Sequence, residues 1–187
     1  MRRKDDGKEK SIKEAVVKLI LEQGFHGTSI SKIAKEAGVS PATLYIYYEN
    51  KEIMLRDIYI EYSEEIFDYL LSKIYKDING RELIEILARG YYNYIQEHGE
   101  IFHFVDQFSS CPALASQCSD MKGINNLNDL LEEMKEKRII KDFQNHNLVA
   151  ILFYPIKSIA IKQCALETEQ DKMLSEMITI IQEALLL

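Results

Sequence analysis

Between Ser29 and Lys51 the chain reads as two short helices joined by a tight turn, and no other stretch constrains the fold as much. Ile30, Ile33, Ala34 and Ala37 fall at i, i+3, i+4 and i+7, one face of a 3.6-residue period. Ser29 precedes this run as a candidate N-cap. Gly38 follows it, where a helix end in the left-handed conformation favours glycine. Ser40 offers a second N-cap, and Pro41 stands at the first helical position, where a missing N–H costs nothing. Val39 of the turn and Leu44 of the second helix point to a core, and Thr43, Tyr45 and Tyr47 are left on other faces. Two helices separated by Gly-Val-Ser have the helix-turn-helix form. An earlier helix is legible from Ile12, Val16, Leu19, Ile20 and Gln23, with Ser11 near its start and Gly24 as its stop. Phe25 is placed to fold back over that end. Residues 8 to 48 are therefore expected to make three helices around one small core.

Charge is distributed unevenly. The net charge is −7, yet residues 1–51 hold ten Lys/Arg against seven Asp/Glu, and the remainder holds 13 against 23. A basic end suits phosphates while an acidic end faces away. For Arg2, Arg3 and Lys4 a solvated, idle arm is an equal reading.

The ordered run Gly24-Phe25, Thr28-Ser29-Ile30, Ile33-Ala34, Ala37-Gly38-Val39-Ser40, Thr43-Leu44-Tyr45-Ile46-Tyr47-Tyr48, Asn50-Lys51-Glu52 and Leu55 resembles the N-terminal domain of the tetracycline-repressor (TetR) family. The likeness covers roughly residues 8 to 58, without gaps. Two positions depart from the usual pattern: Tyr48 stands where Phe is usual, and Ala42 where Gly or Ala is common. A Tyr packs like Phe if its hydroxyl reaches water. Past residue 60 the likeness is one of helix layout only. The resemblance implies an all-α protein, with a three-helix helix-turn-helix DNA-binding domain at 1–50 and a helical effector-binding and dimerisation domain at 51–187.

Candidate DNA contacts divide by role, since phosphate contacts position a protein and base contacts specify sequence. Thr28 and Ser29 sit at a helix N-terminus, which favours an anion. The resemblance places Tyr47 and Lys51 on the phosphate backbone, and Pro41, Ala42, Thr43 and Tyr45 on the base edges. Ser40 completes the set, although capping alone explains both Ser29 and Ser40, and surface packing is the plain alternative for Tyr45 and Tyr47. Thr43 can hydrogen-bond a base or touch a thymine methyl. The second helix of the motif carries no Arg, Asn or Gln for a bidentate base contact. Readout per residue is thus expected to be modest, with affinity resting on phosphates and on two-fold binding to a pseudo-palindromic operator in double-stranded DNA.

Beyond Asn50 long helices are expected: Lys51 to about Lys76, Arg81 to Glu97, Ile101 to Ser109, a short turn at Ala113 to Cys118, Asp120 to about Lys137, Asn147 to Glu167, and Gln170 to Leu186. The last two carry apolar stripes, and Leu148 to Ile156 is apolar nearly all round. Leu152, Ile156, Ile159, Leu174, Met177, Ile178 and Ile181 are the candidate dimer contacts, since the resemblance implies a homodimer formed through these helices. The alternative is a helix fully buried in a monomer. Pro155 is expected to kink its helix. A dimer must set two recognition helices about 34–36 Å apart, and the helix opening at Lys51 is the natural lever.

Tyr69, Tyr92, Phe102, Phe104, Phe108 and Phe153 are candidates for the effector pocket that the resemblance implies, because ligand sites are mostly apolar with a few polar groups. Plain core packing is the alternative for each. His98 and His103, with Cys111 and Cys118, match no zinc spacing, so no metal or cofactor is expected. Three cysteines suit a reducing compartment. No run of about 18 apolar residues spans a membrane, and no apolar leader follows Met1, so a cytoplasmic protein is expected. Gly-rich phosphate loops, Gly-x-Ser-x-Gly and His-Glu-x-x-His are missing, which argues against an enzyme. The expected function is a ligand-responsive transcriptional regulator, a repressor released from its operator by a small apolar or amphipathic effector. The alternative is a helical protein-interaction module without such an effector.

Overall fold

The computed structural model describes residues 5–109, 121–162 and 167–187. Nine helices, α1 to α9, carry these residues: Asp6–Gly27, Ile30–Glu36, Pro41–Tyr47, Lys51–Leu71, Gly80–Glu97, Gly99–Ser109, Lys122–Glu136, Asn145–Ala160 and Glu167–Leu185. The all-α expectation holds, and no strand is present among the described residues. Arg2 to Lys4, the turn at Ala113 to Cys118 and all three cysteines lie outside the described residues.

Packing divides the chain into two compact units. The described part of the first covers residues 5–63 and 100–109; that of the second covers 64–99, 121–162 and 167–187. This packing division falls inside α4, after Ser63, and residues 100–109 of α6 pack with the helix-turn-helix end. The physical reason is burial. Met54, Leu55, Ile58, Tyr59 and Tyr62 of α4, with Phe104 of α6, share one cluster with Ile12, Val16, Ile20, Ile33 and Leu44.

Local chemistry sets the helix ends of the first unit. Ser11 does not start α1: Asp5 does, its carboxylate accepting the Gly7 amide at 3.0 Å, while the Ser11 hydroxyl donates to the Gly7 carbonyl inside the helix. Gly24 breaks α1 as expected, with φ 72° and ψ 175°. Side chains rarely adopt such a φ, so glycine is needed there. The end of α2 is a Schellman motif: the Val39 amide donates to Ala34 O at 2.9 Å and the Gly38 amide to Lys35 O at 3.2 Å, with Gly38 at φ 68°. Ser29, Ser40 and Asn50 cap α2, α3 and α4 by accepting the amides of Lys32, Thr43 and Ile53.

The second unit is built on α5, α8 and α9, which pack pairwise. Asn79 caps α5 by accepting the Glu82 amide at 3.0 Å. Gln182 of α9, buried, donates to Arg81 O at 2.9 Å and fixes the start of α5. Glu64 takes the place of a side-chain cap on α7, accepting the Gly123 amide at 2.7 Å. α4 ends at Leu71, about a turn before the expected Lys76, and α8 starts at Asn145 and runs through Pro155 as one helix. The proline leaves the Ile151 carbonyl without its helical donor.

Candidate nucleic-acid interface

The motif is held together by bonds the residue pattern alone does not show. Thr28 is 2 % exposed, and its hydroxyl lies 2.9 Å from Gly24 O and 3.1 Å from Leu19 O. A hydroxyl has one proton, shared here between two carbonyls at the kinked end of α1. The Thr28 side chain therefore stabilises the turn into α2 and is not presented to solvent as a phosphate contact.

Lys51 is also turned inward. Its ammonium donates to Phe25 O at 2.9 Å and Thr28 O at 3.0 Å, and it stands 3.9 Å from the centroid of the Phe25 ring. Carbonyls and a π face both favour a cation there. The start of α4 is thereby tied to the end of α1 and the entry to α2. Tyr47 closes the other end of the motif: its hydroxyl accepts the Asp5 amide at 2.9 Å and donates to Asp5 O at 3.1 Å.

Tyr48 is buried, as a core Phe would be. Burial pushes its phenol well above the usual tyrosine value, and the carboxylates of Glu9, Glu61 and Asp57 push the same way. Burial also pulls the Lys13 ammonium down, but Glu61 at 2.6 Å and Glu9 at 3.5 Å outweigh it and raise it overall. Lys18, at the surface, is raised by its hydrogen bond to Glu36. Such surface pairs are weak and exchange readily with other anions.

What remains on the outer face of α3 is compact. Leu44 is buried, and Thr43 is half-buried with its hydroxyl 2.9 Å from that of Ser40. Pro41 and Ala42 are exposed, as are Tyr45 (57 %) and Ile46 (42 %). Ile46 was not among the candidate DNA contacts. Its phase was the available signal, because it lies two positions after Leu44 on a seven-residue helix.

The aromatics considered for an effector pocket fall in different units. Phe104 is fully buried in the first unit against Tyr62 and Phe108, with ring centroids 6.2 and 5.0 Å away, and Phe102 is buried as well. In the second unit Tyr69 packs edge-on to Tyr94, Phe153 packs edge-on to Tyr91, and the Tyr92 hydroxyl donates to Gln170 at 3.2 Å. A cleft of about 390 Å³ in the second unit is lined by Lys73, Glu82, Glu85, Ile86, Arg89, Gly90 and Asn93, none of them among those aromatics. His98 lies tilted against Tyr94, with ring centroids 4.7 Å apart, and His103 is exposed beside Phe102.

The dimer candidates are placed differently from expectation. Leu152, Ile156, Ile159, Leu174, Ile178 and Ile181 are buried within the single chain, and Met177 is half-buried. The helices that carry them, α8 and α9, pack on each other and on α5. Among the described residues, the large apolar side chains left exposed on α8 and α9 are Ile151 (37 %), Tyr154 (62 %) and Ile180, with Phe143, Ile161 and Leu187 just outside the helix ends.

Three helices with capped ends, a Gly-centred turn and an exposed face on the third define a helix-turn-helix protein carrying a separate helical unit. Residues 12–58 match the family model of the bacterial regulatory proteins of the tetR family. A solved structure of a TetR family transcription regulator from Marinobacter aquaeolei VT8 superposes with a TM-score of 0.85 at 29% identity, covering 100% of this chain and 99% of that one. The fatty acid metabolism regulator protein of Bacillus subtilis is 30% identical over 80 residues, 43% of this chain and 41% of that protein. IcaR of Staphylococcus epidermidis, the negative transcriptional regulator of the biofilm operon icaADBC, is 29% identical over 106 residues, 56% of this chain and 55% of that protein. The chain spans about half the length of the curated relatives it matches. No described helix is long and apolar enough to cross a membrane.

Proposed function

We propose that this protein is a homodimeric repressor that binds a pseudo-palindromic operator in the bacterial cytoplasm and is released by a small apolar or amphipathic effector. The observation that carries the DNA reading is the exposed face of α3, Pro41, Ala42, Tyr45 and Ile46, on a helix whose other side is anchored through Leu44 and Tyr47. Negative regulation is supported by the relative named as a negative regulator. An apolar effector is supported by the relative named for fatty acid metabolism and by the aromatic content of both units.

The dimer face proposed is Ile151, Tyr154 and Ile180, because the inward stripe is already buried in one chain. Ile151 and Tyr154 are three apart on α8 and share a face. Effector binding to one population of dimers shifts the equilibrium away from the DNA-competent one.

A gel-shift with DNA from upstream of the protein's own gene tests the reading. A complex that dissociates on titration with a long-chain fatty acid or its thioester supports it; tighter binding reverses the direction, and indifference removes this effector class. Sedimentation should show a dimer that Tyr154→Glu converts to a monomer.

A further inference from the structure

Ile46 and Tyr45 are the large hydrophobic side chains left exposed among the described residues of the first unit. With Ala42 they occupy positions i, i+3 and i+4 of α3, one face of the helix. The polar side chains of α3 have partners elsewhere: Thr43 meets Ser40, and Tyr47 meets Asp5. Apart from the Tyr45 hydroxyl, this face offers methyl and methylene groups and no hydrogen-bonding side chain. On the major-groove edges of DNA, the apolar feature is the C5-methyl of thymine.

We propose that Ile46 is a specificity-determining residue that reads a thymine methyl by apolar contact, with Ala42 beside it. The inference rests on the DNA reading above and adds what that reading lacks, a rule for the bases under α3. The operator half-site carries an A·T pair at the position facing Ile46, and its recognition depends on the methyl group rather than on the hydrogen-bonding edge.

The test starts by selecting binding sites from a random duplex pool with the full-length protein. Each thymine of the selected site is then replaced by deoxyuridine, which removes the methyl and keeps every hydrogen-bonding group. One position per half-site should lose about fourfold in affinity, the effect of exposing one methyl-sized group. In Ile46→Ala that sensitivity should vanish while the remaining positions keep theirs. Ile46→Val should retain part of it. Because Ile46 is exposed, thermal melting of each variant should match the parent. Deoxyuridine sensitivity that persists in Ile46→Ala, or a selected site indifferent to deoxyuridine throughout, overturns the inference and leaves DNA binding intact. A pool that yields no preferred sequence overturns the DNA reading as well.

Discussion

The Tyr47 hydroxyl and the Asp5 backbone form a closed pair: the Asp5 amide donates to the phenol at 2.9 Å, and the phenol donates back to the Asp5 carbonyl at 3.1 Å. Forty-two residues separate the two, so the last turn of α3 is fastened to the first residue before α1. Tyr47→Phe removes both bonds and leaves the ring. A loss of about 1–2 kcal/mol in stability is expected from two net hydrogen bonds, read as a lower urea midpoint with an unchanged slope.

Asp5 is also the N-cap of α1. Its carboxyl is held below the ordinary aspartate value, first by the hydrogen bond from Lys8, then by the amides of Gly7 and Lys8. A group whose folded value is depressed stabilises the protein above its unfolded value and stops doing so as pH falls through the folded value. The stability difference between the parent and Asp5→Asn should therefore be full above about pH 4 and close as the pH drops below it. A difference that is constant from pH 7 to pH 3 would show that the charge plays no part.

Lys51 ties α4 to the carbonyls of Phe25 and Thr28 and to the Phe25 ring. Lys51→Met keeps the stem and removes the charge. Hydrogen bonds from a charged donor carry about 1.5–3 kcal/mol each, so this variant should unfold at clearly lower urea. DNA affinity should fall through misplacement of the motif, with the salt slope unchanged. A slope reduced by about one ion would instead assign Lys51 to a phosphate.

Gly123 allows α7 to rest on α4. A Cβ there would lie 2.4 Å from the Phe67 Cβ and 2.7 Å from a Glu64 carboxylate oxygen, whose hydrogen bond to the Gly123 amide caps the helix. Gly123→Ala should cost about 3 kcal/mol, the upper range for overpacking, visible as a lowered melting temperature. An unchanged melting temperature would mean that Phe67 and Glu64 yield without cost.

The helix-turn-helix was legible because its signals are local. Caps at Ser29, Ser40 and Asn50, glycines at 24 and 38, and the phase of Ile33, Ala34 and Leu44 each act within a few residues. The inward partners of Thr28 and Lys51 were not legible, because they are carbonyls and no side-chain pattern announces a carbonyl acceptor. The stripe through Leu152, Ile156, Ile178 and Ile181 was correctly read as buried, but periodicity cannot distinguish burial against α5 from burial against a second chain. The unit boundary within α4 was hidden for a related reason. The helix is uninterrupted in sequence, and only packing shows that Tyr62 and Leu70 belong to different cores.

The central claim is that α3 presents a DNA-reading face, and the salt dependence of binding to the protein's own upstream DNA tests it most directly. A sequence-preferring complex that weakens about a thousandfold or more between 50 and 200 mM salt, as several phosphate contacts require, is the predicted result. Absence of a complex, or one indifferent to both salt and sequence, would contradict it.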